Sequence, residues 1–212
     1  MADVPEDDAT MPLLDHLEEL RKRLIRAFIG VGVAAAVCWA FAEQLFRIFS
    51  APLQKALPQG SQFIFTEVTE PFFIYMKVAG LAGLFLASPY LFYQLWAFVA
   101  PGLHKHERRY AIPFVIFSTL FFTAGSCFGY FVMFPFAFPF FLNFGGDFVT
   151  AMPTMQSFFS LAVRLLFAFG LIFEMPLAVF FLARVGIVTA AQMRQWRRYA
   201  VIGAFVVGAI LT

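Results

Sequence analysis

The chain has 212 residues; 61% are hydrophobic, 13% are charged, and the formal net charge is +2. Soluble domains run at about 45–50% apolar and about 25% charged, so a soluble monomer and a disordered chain are excluded. Two cysteines are too few for a disulfide-stapled secreted domain. The class that remains is an integral membrane protein, and the small net charge excludes a nucleic-acid binder built on a strong basic patch.

The chain opens on an acidic stretch, MADVPEDDAT. It lacks the basic start and short apolar core of a secretory signal and reads as a disordered tail over residues 1–11. A single transmembrane domain is expected over 12–212. Its first element is PLLDHLEELRKRL, Pro12–Leu24, where Leu13, Leu14, Leu17, Leu20 and Leu24 recur at helical spacing. Pro12 suits a first helical turn, and acids precede bases along the helix dipole. This segment is predicted to lie in the membrane interface ahead of the first span.

A spanning helix needs about 20 mostly apolar residues. The mostly apolar runs predict spans at about 24–46, 72–101, 110–138, 155–183 and 197–212. The third run stays uncharged to Gly146, too long for one perpendicular crossing, and Pro135 and Pro139 are expected to end or kink it. Cys38 and Cys127 sit inside apolar runs and read as packing residues. Eleven of the fifteen lysines and arginines fall in the N-terminal segment (Arg21, Lys22, Arg23, Arg26) and two alternate loops (Lys105, Arg108, Arg109; Arg184, Arg194, Arg197, Arg198). That alternation predicts a cytoplasmic N-terminus, with the base-poor loops at 47–71 and about 140–154 outside.

Three places carry charge that invites a function. In the N-terminal helix, Glu18–Lys22 and Glu19–Arg23 have i,i+4 spacing, which by itself describes ordinary surface pairs. In FVAPGLHKHERR, Phe98–Arg109, Glu107 is the lone acid among cations; it either balances charge or receives an incoming cation. Glu174 lies inside the fourth span, where a carboxylate costs about 2.5–3.5 kcal/mol to insert and therefore points to a function or a water-filled cavity. Arg164 and Lys77 read as snorkelling anchors near the outer surface. Neither a metal motif nor a Walker loop is present, His16, His104 and His106 lie outside the spans, and Ser126 has no intramembrane histidine to activate it. No enzymatic activity, metal or cofactor is expected.

The segments HLEELRKRL (16–24), FTEVTEPFFIYMK (65–77), SPYLFYQLWAFVAPGLHKHERR (88–109), AFGLIFEMP (168–176) and VIGAFVVGAILT (201–212) together resemble the TatC family, the polytopic core subunit of the twin-arginine protein translocase. The resemblance implies an all-α bundle with a concave, glove-like face and a receptor for twin-arginine signal peptides of folded cargo. It also implies transport driven by the proton-motive force, single-span TatA and TatB partners in an oligomeric complex, and the bacterial cytoplasmic membrane. On matching positions, Glu19 and Arg21 would form one part of the signal-peptide site and Phe98, Glu107 and Arg108 the other. Glu174 would face the concave interior, and Pro52 falls in an external loop that the family also uses. Family members have six spans, whereas this sequence ends at Thr212 within the match to the fifth, so the expectation is a truncated chain without the sixth helix. Glu174 alone also fits a proton- or ion-coupled small-solute transporter, and a structural membrane scaffold is a further alternative.

Overall fold

The computed structural model describes residues 11–57, 63–99, 111–144 and 152–184, together with Arg194 and Gly203. The acidic tail, apart from Met11, and the span expected at 197–212, apart from Gly203, lie outside the described residues. The architecture is all-helical. Helix α1 runs Met11–Trp39, α2 Ala42–Ala56, α3 Glu70–Val99, α4 Ala111–Phe128, α5 Phe134–Asn143 and α6 Met155–Arg184. A π-helical turn, Gly129–Met133, joins α4 to α5. Glu70–Val99, Ile112–Asn143 and Met155–Arg184 are each long and apolar enough to cross a membrane, and the bent pair α1–α2 makes a fourth if it is one span.

Two expectations about the N-terminal region change. The segment over 12–24 is not a separate helix but the first turns of α1, because nothing between Leu13 and Trp39 interrupts it. The helix expected to run on to residue 46 instead breaks at Ala40–Phe41, and α2 leaves at 90°. No glycine or proline marks that break. The cause is a change in pattern: Ala42, Phe46, Phe49 and Leu53 form one buried stripe, while Glu43, Gln44, Arg47, Gln54 and Lys55 are exposed. A stripe of that kind is buried only if the helix lies across the bundle end, and α2 packs there on α3 and α5.

α1 packs along α3, and α4 along α6. Between lipid-embedded helices association relies on close packing, which small residues permit. A Cβ at Gly83 would meet the Ala35 backbone nitrogen at 2.5 Å, and one at Gly125 would run into the Phe169 carbonyl oxygen, so both glycines mark helices in near-backbone contact. Aromatic rings fill the rest. Phe46, Phe49, Phe63, Phe134, Phe138 and Phe158 interlock at the end capped by α2. At the opposite end Trp96, Phe114 and Phe181 meet with centroids 5.0–5.4 Å apart.

Each proline inside a helix strips one carbonyl of its donor, and two of those carbonyls find a hydroxyl. Pro89 deprives the Phe85 carbonyl, and Ser88 Oγ donates to it at 2.7 Å. Pro52 deprives the Ile48 carbonyl on α2, and the Tyr130 hydroxyl from the π-helical turn donates to it. Of the two outcomes expected at the prolines of the third span, an end or a kink, the end does not occur at Pro135 or Pro139. The helix widens at Gly129–Met133, just before Pro135, and then continues through Pro139 to Asn143.

The Tyr130–Pro52 pairing has a measurable signature. Tyr130→Phe should lower stability by about 1 kcal/mol. In a Pro52→Ala background, where residue 52 regains its N–H, the same substitution should cost almost nothing. Thermal unfolding of the four chains in detergent, treated as a double-mutant cycle, checks this.

Candidate functional site

The first turns of α1 carry Asp15, Glu18, Glu19, Lys22, Arg23 and Arg26 around one polar groove. Glu18 and Lys22 pair at 2.7 Å in the open, with side-chain exposures of 59% and 62%. Exposed i,i+4 pairs contribute only a few tenths of a kcal/mol. Glu19 differs. Its Oε1 lies 3.1 Å from Arg23 Nη2, and the exposures fall to 30% and 23%. The other arm of the same guanidinium, Nη1, donates to Gln94 Oε1 on α3 at 3.3 Å, and Gln94 is buried. One turn further along α3, Phe98 stacks on His16 with ring centroids 4.5 Å apart.

The beginning of α1 and the end of α3 are therefore held together by one guanidinium bridge and one stacked pair. Glu19 and Phe98, drawn from separate parts of the predicted site, lie at the same end of the bundle. Arg21 is exposed on the same turns of α1. Glu107 and Arg108 lie outside the described residues. Pro52 belongs to the opposite end, beyond Trp39 and the break into α2; α1 between Glu19 and Trp39 alone is about 30 Å long.

Glu174 sits on α6 one turn beyond Gly170, whose absent side chain leaves room for Phe122 and Ser126 of α4. Ser126 Oγ donates across this seam to the Leu166 carbonyl at 3.4 Å. Further along, the Glu174 carboxyl and the Ser118 hydroxyl face one another across the α4–α6 seam; Glu174 Oε1 and Ser118 Oγ are both buried, and neither completes a well-formed hydrogen bond among the described residues. Buried polar atoms in that condition call for water or a ligand group. Arg164 is exposed on α6, and Lys77 reaches Gln156 Oε1 at 3.0 Å. The described residues include no group of three or more His, Cys, Asp or Glu able to hold a metal ion.

Three contributors were missed in the sequence. Gln94 and His16 carry no role in the expected site, although both lie within the segments that resemble the family. An amide in an apolar helix is a cost that signals a partner, and Gln94 could have been found on that ground. Glu70 is the third. It is buried, and its carboxylate accepts from Thr66 N at 2.8 Å, Thr66 Oγ1 at 3.2 Å and Gln156 N at 2.8 Å. It thus caps the start of α6, where Thr154 Oγ1 also accepts from Ser157 N at 3.0 Å. Ile64 completes the clasp, donating to the Pro153 carbonyl at 3.3 Å and accepting from Met155 N at 3.1 Å. These bonds tie residues 63–70 to 153–157 at the end away from Glu19.

The comparisons with known proteins place the chain in a family. The family model for Sec-independent protein translocase protein (TatC) matches residues 15–212. The TatC protein of Desulforapulum autotrophicum is 45% identical over 206 residues, which cover 97% of this chain and 76% of that one. The TatC protein of Escherichia coli strain K12 is 44% identical over 203 residues, covering 96% and 79% respectively. Against the TatC protein of Halothiobacillus neapolitanus the chain matches over its full length, at 43% identity, but spans only 58% of that relative. A crystal structure of a twin arginine translocase receptor, TatC, superposes with a TM-score of 0.82 at 37% identity, covering 93% of this chain and 87% of that one. Between the protein-translocase and small-solute readings that Glu174 alone left open, these likenesses select the former. The chain belongs to the TatC family and is a multi-pass membrane subunit of a bacterial Sec-independent protein translocase.

Proposed function

We propose that this chain receives twin-arginine signal peptides at the end of the bundle where α1 begins and α3 finishes. The observation that carries the reading is the meeting of Glu19 and Phe98 at one rim, bridged by Arg23–Gln94 and His16–Phe98. A paired-arginine motif presents planar, five-donor forks, and carboxylates are the acceptors that match them. Glu19 supplies one such acceptor and Glu107, in the segment that follows α3, the second. Arg21 and Arg108 repel loosely fitting cations around them. Phe98 provides an apolar contact at the rim. The apolar part of the signal then lies along a concave, glove-like helix surface toward Glu174, whose unpartnered carboxyl oxygen gives it a polar stop. Pro52 acts at the far end, where Tyr130 holds its helix against the bundle.

The alternation of basic loops supports a cytoplasmic N-terminus, which puts the receptor rim where cargo is made. The chain works without enzymatic chemistry in the bacterial inner membrane, in an oligomeric complex with single-span TatA and TatB. Transport is driven by the proton-motive force.

Crosslinking by a synthetic twin-arginine peptide that itself carries the photoreactive group beside its arginine pair tests the reading. Glu19→Ala or Glu107→Ala should abolish the crosslink while the protein still inserts in the membrane. Undiminished crosslinking in both variants would remove the receptor assignment.

A further inference from the structure

Glu19, the carboxylate assigned above to an incoming arginine, already holds one. Arg23 sets Nη2 at 3.1 Å from Glu19 Oε1 and Nη1 at 3.3 Å from Gln94 Oε1. The contrast with the adjacent Glu18–Lys22 pair is informative. That pair is shorter, at 2.7 Å, yet exposed and tied to one helix only, so solvent screens it. Arg23 is more than three-quarters buried and joins two helices, and its second acceptor is a buried amide fixed in α3. A guanidinium is suited to this because its planar fork satisfies two acceptors at once, which an ammonium cannot do with the same geometry.

We propose that Arg23 sets the affinity threshold for signal-peptide capture: it is an internal guanidinium that each incoming cation must displace from Glu19, while Gln94 retains the displaced side chain. The proposal rests on the receptor reading of Glu19. The cost of displacement is the same for every ligand that takes Glu19, so it lowers all affinities by one factor and leaves their ratios unchanged. Its effect is a threshold. A peptide with two guanidinium groups, each able to make parallel bonds to a carboxylate, still binds at working concentration, and a peptide with two ammonium groups falls below it. Gln94 keeps the cost moderate, because Nη1 keeps its acceptor when Nη2 loses Glu19. The amide also holds Arg23 close enough to retake Glu19 when the peptide leaves.

The test uses the full chain in lipid nanodiscs, titrated with two fluorescent synthetic peptides that share one apolar stretch and differ only in Arg-Arg against Lys-Lys. Arg23→Gln should tighten both peptides by a similar factor, about threefold to tenfold. Arg23→Lys should fall between the native chain and Arg23→Gln, since lysine pairs with Glu19 as a single point charge. Glu19→Gln should weaken both peptides. If Arg23→Gln leaves binding unchanged or weaker while Glu19→Gln still loses it, Arg23 is not a competitor and the receptor reading stands. A gain confined to one of the two peptides likewise overturns the uniform threshold. Native-like binding by Glu19→Gln would remove the receptor reading and this proposal with it.

Discussion

Leucine in place of Gly83 should prevent α1 from seating on α3. Even the Cβ of an alanine there would lie 2.5 Å from the Ala35 backbone nitrogen and 2.6 Å from its Cα. Backbone cannot rotate away as a side-chain tip can, so the helices must move apart. Gly83→Ala should cost about 1–3 kcal/mol, the usual range for overpacking. Gly83→Leu should abolish the interface and with it the Arg23–Gln94 bond and the His16–Phe98 stack, which depend on the same helix pair. Gly80 provides the control. It lies on the same helix, a Cβ added there would meet nothing within 4 Å, and Gly80→Leu should be tolerated. Thermal unfolding and protease resistance in detergent separate the two outcomes.

Phe158→Ala should be the most damaging single truncation at the capped end. Its ring is 3% exposed and touches those of Phe46 and Phe49 on α2, Phe63 in the following segment and Phe138 on α5. Removing it opens a cavity that rigid helices do not close, with an expected cost of about 3–5 kcal/mol. Within lipid the loss is of packing contacts rather than of exclusion from water. Phe136→Ala, at a ring that is 72% exposed on α5, should stay within about 0.5 kcal/mol. Chemical denaturation of the two variants beside the native chain makes the comparison.

Much of this fold is legible in the sequence. Runs of mostly apolar residues locate the helices of α3, α4–α5 and α6, because a lipid environment demands length and apolarity and both are local properties. Leu13 to Leu24 announce the start of α1 by spacing alone. The bend at Ala40–Phe41 is not legible, since no residue there breaks a helix. It follows from the stripe of Ala42, Phe46, Phe49 and Leu53 finding a surface on α3 and α5. At Pro135 and Pro139 the sequence left an end or a kink open; both stay within a continuing helix, and the local irregularity is a π-helical turn just upstream.

The candidate site divides along the same line. Glu174 stands out in the sequence because a carboxylate within an apolar span is costly enough to need a reason, whereas Glu19 reads by spacing as an ordinary i,i+4 pair and is singled out only by the resemblance to the family. Which groups answer them was decided only when the helices packed. Gln94 lies 71 positions from Arg23, and no period in the chain relates the two. Glu70 reads locally as an acid at a helix start, favourable to its own dipole. Beyond its local bonds from Thr66, it also accepts from the start of α6, 86 positions away. Composition and periodicity determined the class, the helices and the residues whose charge demanded an explanation, because those depend on neighbours along the chain. The tertiary structure alone decided the bend of α2, the link from Arg23 to Gln94 and the clasp at Glu70, because hydrogen bonds and ring contacts act over a few ångströms between segments that only packing brings within reach.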